Sequence, residues 1–228
     1  MTKIQYILFD LDDTLYAGAS PLFEEVRRNI QQWIHQRLEI SLEAASDLSH
    51  EYYTAYGTTM NGLLRHHPHV DIDDYLAAVH RVDVTQYLSP HPELAAMLRR
   101  LEARKAVFTN GVTEWAERIL AQLDVRPHFE HIIDVRNVDY QGKPYPAAYE
   151  KALEILGTTG EACIFIEDQP RNLHAAAEFG MRTILVRRAA TPEEKEGVEF
   201  AVDHILETEP ILQRLLRNGA ADSDPNQR

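Results

Sequence analysis

The sequence predicts an α/β protein, a doubly wound parallel sheet interrupted by an inserted helical domain. Three observations lead there. The run from Ile4 to Phe9 is almost continuously apolar and β-favouring, as expected of a strand buried on both faces. The stretch from about 17 to 87 carries only helical periodicity. From His91 onward helices and strands alternate, the pattern that builds a parallel sheet through right-handed crossovers. The opening strand has to join that later sheet, so the helical stretch is an insertion within it.

In chain order, Leu22, Val26, Ile30, Ile34 and Leu38 recur at helical spacing. A second helical run holds Leu42, Ala45, Leu48, Tyr52, Tyr56 and Met60, and a third, shorter one surrounds Tyr75, Leu76, Val79 and Val82. Then come a helix near Glu93 to Leu101, the strand AVFTNG, a helix from Trp115 to Leu123, the strand HIIDV, a helix from Ala147 to Leu156, the strand CIFIED, a helix near Leu173 to Phe179 and the strand TILVRR. A last strand and helix fall near Val202 to Leu216. The domain reading is a core of residues 1–16 and 88–217, a helical domain of 17–87, and a tail, 218–228, whose NGAADSDPNQR lacks an apolar pattern and is expected to be disordered.

Composition narrows the class. With 228 residues, 44% hydrophobic and 26% charged, the chain is that of a globular protein with a large core. No apolar stretch reaches the roughly 20 residues needed to span a bilayer, and MTKIQYILFD shows no signal-peptide pattern, so a cytoplasmic location without a membrane partner is expected. A net charge of −13 argues against a nucleic acid polymer as partner and leaves room for a small anion if the site supplies its own cations. The single cysteine, Cys163, sits in the apolar run CIFI and reads as a buried thiol. Nothing in the sequence fixes the oligomeric state.

The chemistry is concentrated at predicted strand ends. The first strand stops in Asp10, Asp12 and Asp13, at the carboxyl edge where open α/β sheets bind ligands. Like charges so close repel unless a cation or organised hydrogen bonds offset them. An ordinary acidic turn is the alternative. Three further segments oppose it: AVFTNG ends in Thr109, Asn110 and Gly111, QGKPYP supplies Lys143, and CIFIEDQP ends in Glu167 and Asp168.

The four motifs FDLDDT, FTNG, GKPYP and IED, in this order and with a helical insertion after the first strand, resemble those of the haloacid dehalogenase superfamily of hydrolases, whose core is Rossmann-like. The resemblance implies Asp10 as a nucleophile that forms an aspartyl phosphate and Asp12 as the acid/base. It implies Mg²⁺ held by Asp10, Asp168 and the backbone carbonyl of Asp12, with Glu167 either a further metal-shell carboxylate or an exposed acid. Thr109, Asn110 and Lys143 would hold phosphate oxygens. Asn172 stands where many relatives carry an acid, and Arg171 reads either as a phosphate contact or as a surface residue. Dehalogenating relatives lack the second Asp and ATPase relatives replace it with Thr, so Asp12 favours a phosphatase.

The segment YGTTMNGLLRHHPHVDIDDYL looks like the pyrimidine 5′-nucleotidase branch of that superfamily. Its Tyr56, Met60, Asn61, Leu64 and Arg65 are the candidate specificity residues, although Tyr56 and Met60 also have core spacing. His66, His67 and His69 read as a polar loop. The expected function is Mg²⁺-dependent hydrolysis of a small phosphorylated metabolite, with a pyrimidine nucleoside 5′-monophosphate first. A sugar phosphate or another small phosphate ester, a phosphomutase, and a silent binding or regulatory module are the alternatives.

Overall fold

A computed structural model describes residues 2–16 and 21–221. The elements run β1 (Tyr6–Phe9), α1 (Pro21–Leu38), α2 (Leu42–Tyr56), α3 (Thr59–His66), α4 (Ile72–Val79), α5 (Pro92–Arg100), β2 (Arg104–Phe108), α6 (Thr113–Gln122), β3 (His131–Ile133), α7 (Pro146–Leu156), β4 (Cys163–Glu167), α8 (Pro170–Glu178), β5 (Arg182–Val186), α9 (Pro192–Lys195), β6 (Phe200–Val202) and α10 (Thr208–Ala221). Among the described residues the six strands form one sheet, in the order β3-β2-β1-β4-β5-β6, and every pairing is parallel.

β1 lies in the middle and all four of its residues are buried, as its apolar run requires. Alternation decides which side each serves. Ile7 and Phe9 join one apolar cluster with α5, α6, α10 and the helices that follow β1. Tyr6 and Leu8 join the other, with α7 and α8. Each fully buried Leu, Ile or Phe contributes about 1.5–3 kcal/mol of transfer free energy, so both faces stabilise the central strand.

Helices α1 to α4 all fall between β1 and β2. The second periodic run does not make one helix. α2 ends at Tyr56, Gly57 takes φ +85°, and Thr58 caps α3 by accepting the Asn61 N–H, so Met60 belongs to α3. At the other end α10 continues to Ala221, four residues into the predicted tail; residues 222–228 and 17–20 lie outside the described residues. No helix among the described residues is long and apolar enough to cross a membrane.

Candidate active site

β1, β2 and β4 end level with one another. Phe9 pairs with Val107 on one side and Ile166 on the other. Asp10, Thr109 and Asp168, which follow these strands, and Glu167, which ends β4, therefore stand at one edge of the sheet. The Asp10 N–H donates to the Ile166 carbonyl at 2.9 Å, which carries the ladder one step past the strand.

Lys143, between β3 and α7, reaches this edge from the side. Its ammonium donates to Asp10 Oδ1, Glu167 Oε2 and the Phe108 carbonyl, each at 2.7 Å, and the side chain is 1% exposed. All three of its protons are used. Burial opposes its charge, yet the two carboxylates hold its pKa above the ordinary lysine value. Asn110 fixes the lysine's backbone, donating from Nδ2 to the Lys143 carbonyl at 2.9 Å and accepting the Lys143 N–H on Oδ1 at 2.7 Å. The Asn110 side chain is thus committed to the protein, so a phosphate contact from this residue would fall to its backbone N–H. Thr109 is buried and accepts the Gly111 N–H at 3.0 Å; its own hydroxyl proton has no acceptor among the described residues.

Glu167 is fully engaged. Oε2 accepts Lys143 and, at 3.0 Å, Asn172 Nδ2; Oε1 accepts the N–H groups of Asp168 and Gln169 at 3.1 Å. Lys143 and these donors pull its pKa below the usual value in spite of burial. It is neither the exposed acid nor a carboxylate with free oxygens. Asn172 also finds its reason here, since an acid at that position would repel Glu167 where the amide donates to it.

Asp10 carries the strain of the cluster. Burial first, and the Glu167 charge second, push its pKa up to about 7. Burial and Glu167 likewise hold Asp168 well above the usual range. Ligand oxygens of Asp10, Glu167 and Asp168 all lie within 4.8 Å of one another. Glu167 spends both oxygens on protein donors, so Asp10 and Asp168 are the carboxylates of this group left to meet a metal, and hard oxygen donors of this kind suit a hard cation such as Mg²⁺ rather than a softer metal.

The acidic turn itself is organised by pairs four residues apart. Thr14 donates to Asp10 Oδ2 at 3.0 Å, and Tyr16 donates to Asp12 Oδ1 at 2.6 Å. Trp115 Nε1 donates to the same Asp12 oxygen at 2.9 Å. Burial raises the Asp12 pKa, with Tyr16 and Trp115 opposing it. Asp13 takes φ +59°, a left-handed position that Asp tolerates. Its Oδ1 is sealed without a partner among the described residues, and burial lifts its pKa to about 6. Thr14 and Tyr16 were not singled out from the sequence, although each stands four residues after the acid it meets. Trp115, 103 residues from Asp12, gave no local signal.

The predicted specificity residues divide. Met60 is 3% exposed and packs in the core, and Asn61 is buried with Nδ2 donating to the Tyr56 carbonyl at 2.9 Å, so both build the α2–α3 turn. Leu64 and Arg65 are exposed, and the Arg65 guanidinium lies 5.7 Å from the Tyr56 ring centroid. Tyr56 pairs its hydroxyl with His66 Nε2 at 2.6 Å, while Tyr52 pairs with His67 at 2.9 Å. His66 therefore ends a helix and His67 caps it, instead of lying in a polar loop.

What meets the edge is the turn before these residues. A Cβ on Gly57 would stand 2.5 Å from Pro144 Cδ and 3.4 Å from the Lys143 carbonyl oxygen. Tyr53 donates to Gln169 Oε1 at 3.0 Å, and Arg171 donates to the Tyr53 carbonyl at 2.9 Å with its guanidinium 4.2 Å over the ring. Arg171 thus joins the inserted helices to the core. Tyr53 and Gly57 were not anticipated from sequence, because nothing local distinguishes a helix-end tyrosine or glycine that touches a distant segment.

A family model described as haloacid dehalogenase-like hydrolase matches residues 4–180. The chain is 27% identical to haloacetate dehalogenase H-2 of Moraxella sp. (strain B), over 90% of this chain and 99% of that protein. It is 29% identical to the glyceraldehyde 3-phosphate phosphatase of Pyrococcus furiosus, over 98% of each. In structure it resembles CbbY from Rhodobacter sphaeroides in complex with phosphate, with a TM-score of 0.65 and 24% identity, over 90% of this chain and 96% of that one. At that identity the likeness speaks for the fold.

Proposed function

Since the chain belongs to the haloacid dehalogenase-like hydrolases, we propose that it is a Mg²⁺-dependent phosphomonoesterase acting on a small phosphorylated metabolite. Relatives carry both dehalogenase and phosphatase names, so the reaction has to be argued from the site. Asp12 carries the argument. A halide leaves as a stable anion and needs no proton, whereas the alkoxide of a phosphate ester does. A carboxyl group two residues from the nucleophile, held by two donors and with a raised pKa, supports the ester.

In this reading an Asp10 oxygen attacks phosphorus, the P–O ester bond breaks, and its electron pair leaves with the alcohol oxygen, which takes the proton from Asp12. Water then attacks the aspartyl phosphate and gives its proton to Asp12. The P–O bond to Asp10 breaks, restoring the carboxylate and releasing inorganic phosphate. Lys143, whose three protons go to Asp10, Glu167 and the Phe108 carbonyl, keeps Asp10 placed and acts on the phosphate through its charge, while Thr109 and the Asn110 backbone offer donors to phosphate oxygens. Asp10, Asp168 and the Asp12 carbonyl would hold the metal, whose charge, when bound, relieves the crowded acids and polarises the phosphoryl group.

Helices α1 to α4 serve as the cap over the leaving group. The names of several nearly full-length relatives, glyceraldehyde 3-phosphate phosphatase, favour a short phosphorylated carbohydrate as substrate. A pyrimidine nucleoside 5′-monophosphate is the second reading. Half-exposed Tyr53 and Tyr145, each near the Gly57–Pro144 contact, could stack a base. Purified protein is assayed for phosphate release from glyceraldehyde 3-phosphate, nucleoside monophosphates and p-nitrophenyl phosphate, and for chloride release from chloroacetate, with Mg²⁺ or EDTA. Phosphate release that requires Mg²⁺ is expected. Chloride release without phosphate release would overturn the reading.

A further inference from the structure

The reaction described above leaves open which oxygen of Asp12 handles the proton and what keeps it there. Asp12 Oδ1 accepts two hydrogen bonds, from Tyr16 Oη at 2.6 Å and Trp115 Nε1 at 2.9 Å. A carboxylate oxygen has two lone pairs in the plane of the group, and both are taken. Oδ2 receives no hydrogen bond from any described residue, and it is not among the sealed, unpartnered atoms. An Asp with one oxygen saturated can bind a proton only on the other.

The two donors are themselves held. Tyr16 is 5% exposed and Trp115 is 1% exposed. Trp115 lies in the first turn of α6, directly after the Thr109–Gly111 turn. A Cβ on Gly111 would come within 3.2 Å of Trp115 Cδ1, so the glycine lets the indole approach the strand end. The His80 ring packs on the indole with centroids 5.1 Å apart, and the Arg118 guanidinium lies 5.1 Å from the indole centroid. Arg118 also donates to the carbonyls of His80, from Nη2 at 2.6 Å, and Val82, from Nη1 at 3.0 Å. The indole is therefore fixed from three directions, and its N–H has Asp12 as its partner.

Resting on the phosphomonoesterase reading, we infer that Tyr16 and Trp115 are positioning residues that anchor Asp12 through Oδ1 and so dedicate Oδ2 to proton exchange with the leaving oxygen and the attacking water. The proton on Oδ2 goes to the ester oxygen as the P–O bond breaks, and Oδ2 takes one back from the water that attacks the aspartyl phosphate. Oδ1 keeps its two hydrogen bonds throughout. Without them the carboxyl group turns about its Cβ–Cγ bond and presents either oxygen, and the productive arrangement is populated only part of the time.

The test separates positioning from general damage through the leaving group. Tyr16→Phe, Trp115→Phe and the double variant are mixed in single-turnover experiments with Mg²⁺ and either glycerol 1-phosphate or p-nitrophenyl phosphate. The alkoxide needs the proton, whereas nitrophenolate leaves without it. For the double variant, enzyme phosphorylation by glycerol 1-phosphate is expected to fall about 10- to 100-fold, while the nitrophenolate burst falls by less than about 3-fold. On an Asp12→Asn background the same substitutions should change the glycerol 1-phosphate rate by less than about 2-fold, because residues that act through Asp12 have nothing left to position. Tyr16→Phe removes one hydroxyl and no ring, so it carries the test alone if Trp115→Phe does not fold. Equal losses with both esters, or a full loss on the Asp12→Asn background, would overturn this inference while leaving the phosphomonoesterase standing. Wild-type protein inactive on both esters would overturn that reading and this inference with it.

Discussion

At the carboxyl edge of the sheet, the lysine that ties the acids together comes from a distant part of the chain, whereas the α2–α3 turn above it is closed by bonds between near neighbours. Lys143 joins Asp10 and Glu167, 133 and 24 residues distant. Tyr56 pairs with His66, Asn61 with the Tyr56 carbonyl, and Ser49 with Thr59, none more than 10 residues apart. The two regions therefore answer differently to change. At the edge a substitution disturbs the placement of several strands and the chemistry together; in the inserted helices it disturbs one turn.

The largest effect that would test this contrast is Lys143→Met. It leaves Asp10 and Glu167 buried without their counter-charge, and breaking a buried ion pair from one side costs about 3–5 kcal/mol. Loss of the cation that places Asp10 and faces the phosphate should also lower kcat by about 10²- to 10³-fold. Urea unfolding with steady-state kinetics measures both. A stable variant with normal turnover would show that the edge tolerates change as the cap does.

His80 caps α4 and packs on Trp115 beside the sheet edge, and its effect depends on pH. Burial, aided by Arg118 and Arg136, lowers its pKa from 6.5 to about 4. A histidine depressed in the folded state is protonated first in the unfolded chain as pH falls. Its stabilising contribution is complete above pH 6.5, is lost between there and pH 4, and changes no further below that. The loss is on the order of 3 kcal/mol. The raised pKa of Asp10 acts in the opposite sense, so the quantity to read is the difference between wild type and His80→Gln in unfolding free energy across this range. The variant should lack the His80 part of the slope; identical slopes would mean that His80 is not held neutral.

Gly57→Ala probes a point where the α2–α3 turn touches the lysine segment. The new Cβ would meet Pro144 Cδ at 2.5 Å, on a backbone at φ +85°. A destabilisation of about 1–3 kcal/mol is expected, with kcat reduced more than in any substitution at the exposed face of α3. Arg65→Ala should be the mildest. Its stacking on Tyr56 is exposed and contributes about 0.5–1 kcal/mol. If Arg65 contacts the leaving group, kcat/KM for the preferred metabolite falls further than for p-nitrophenyl phosphate; equal falls remove it from specificity.

The same contrast explains what could be read in advance. Strand runs such as CIFIE and their polar ends were legible because a doubly buried strand has to be apolar and has to stop where the polar groups begin. The convergence of Asp10, Lys143 and Asp168 followed from that topology with the motif order. The break at Gly57 was hidden, since Leu42 to Met60 keeps helical spacing across it. Asn110 gripping Lys143, Glu167 spending both oxygens inside the protein, and Trp115 reaching Asp12 were hidden for another reason. The bonds of Lys143 to Asn110 and Glu167 and of Trp115 to Asp12 join distant segments, and residue type alone does not choose among possible partners.

The claim on which the rest depends is that Asp10 becomes phosphorylated. Enzyme mixed with Mg²⁺ and a substrate identified by the screen, quenched in acid within one turnover and digested, is examined by mass spectrometry for a phosphoryl group on the peptide that contains Asp10. The adduct should be found on Asp10, should be released by hydroxylamine as an acyl phosphate is, and should build up in Asp12→Asn when p-nitrophenyl phosphate is the substrate, because the water then lacks its base. An active wild-type enzyme that yields no adduct under these conditions, or yields it on another residue, would contradict the account.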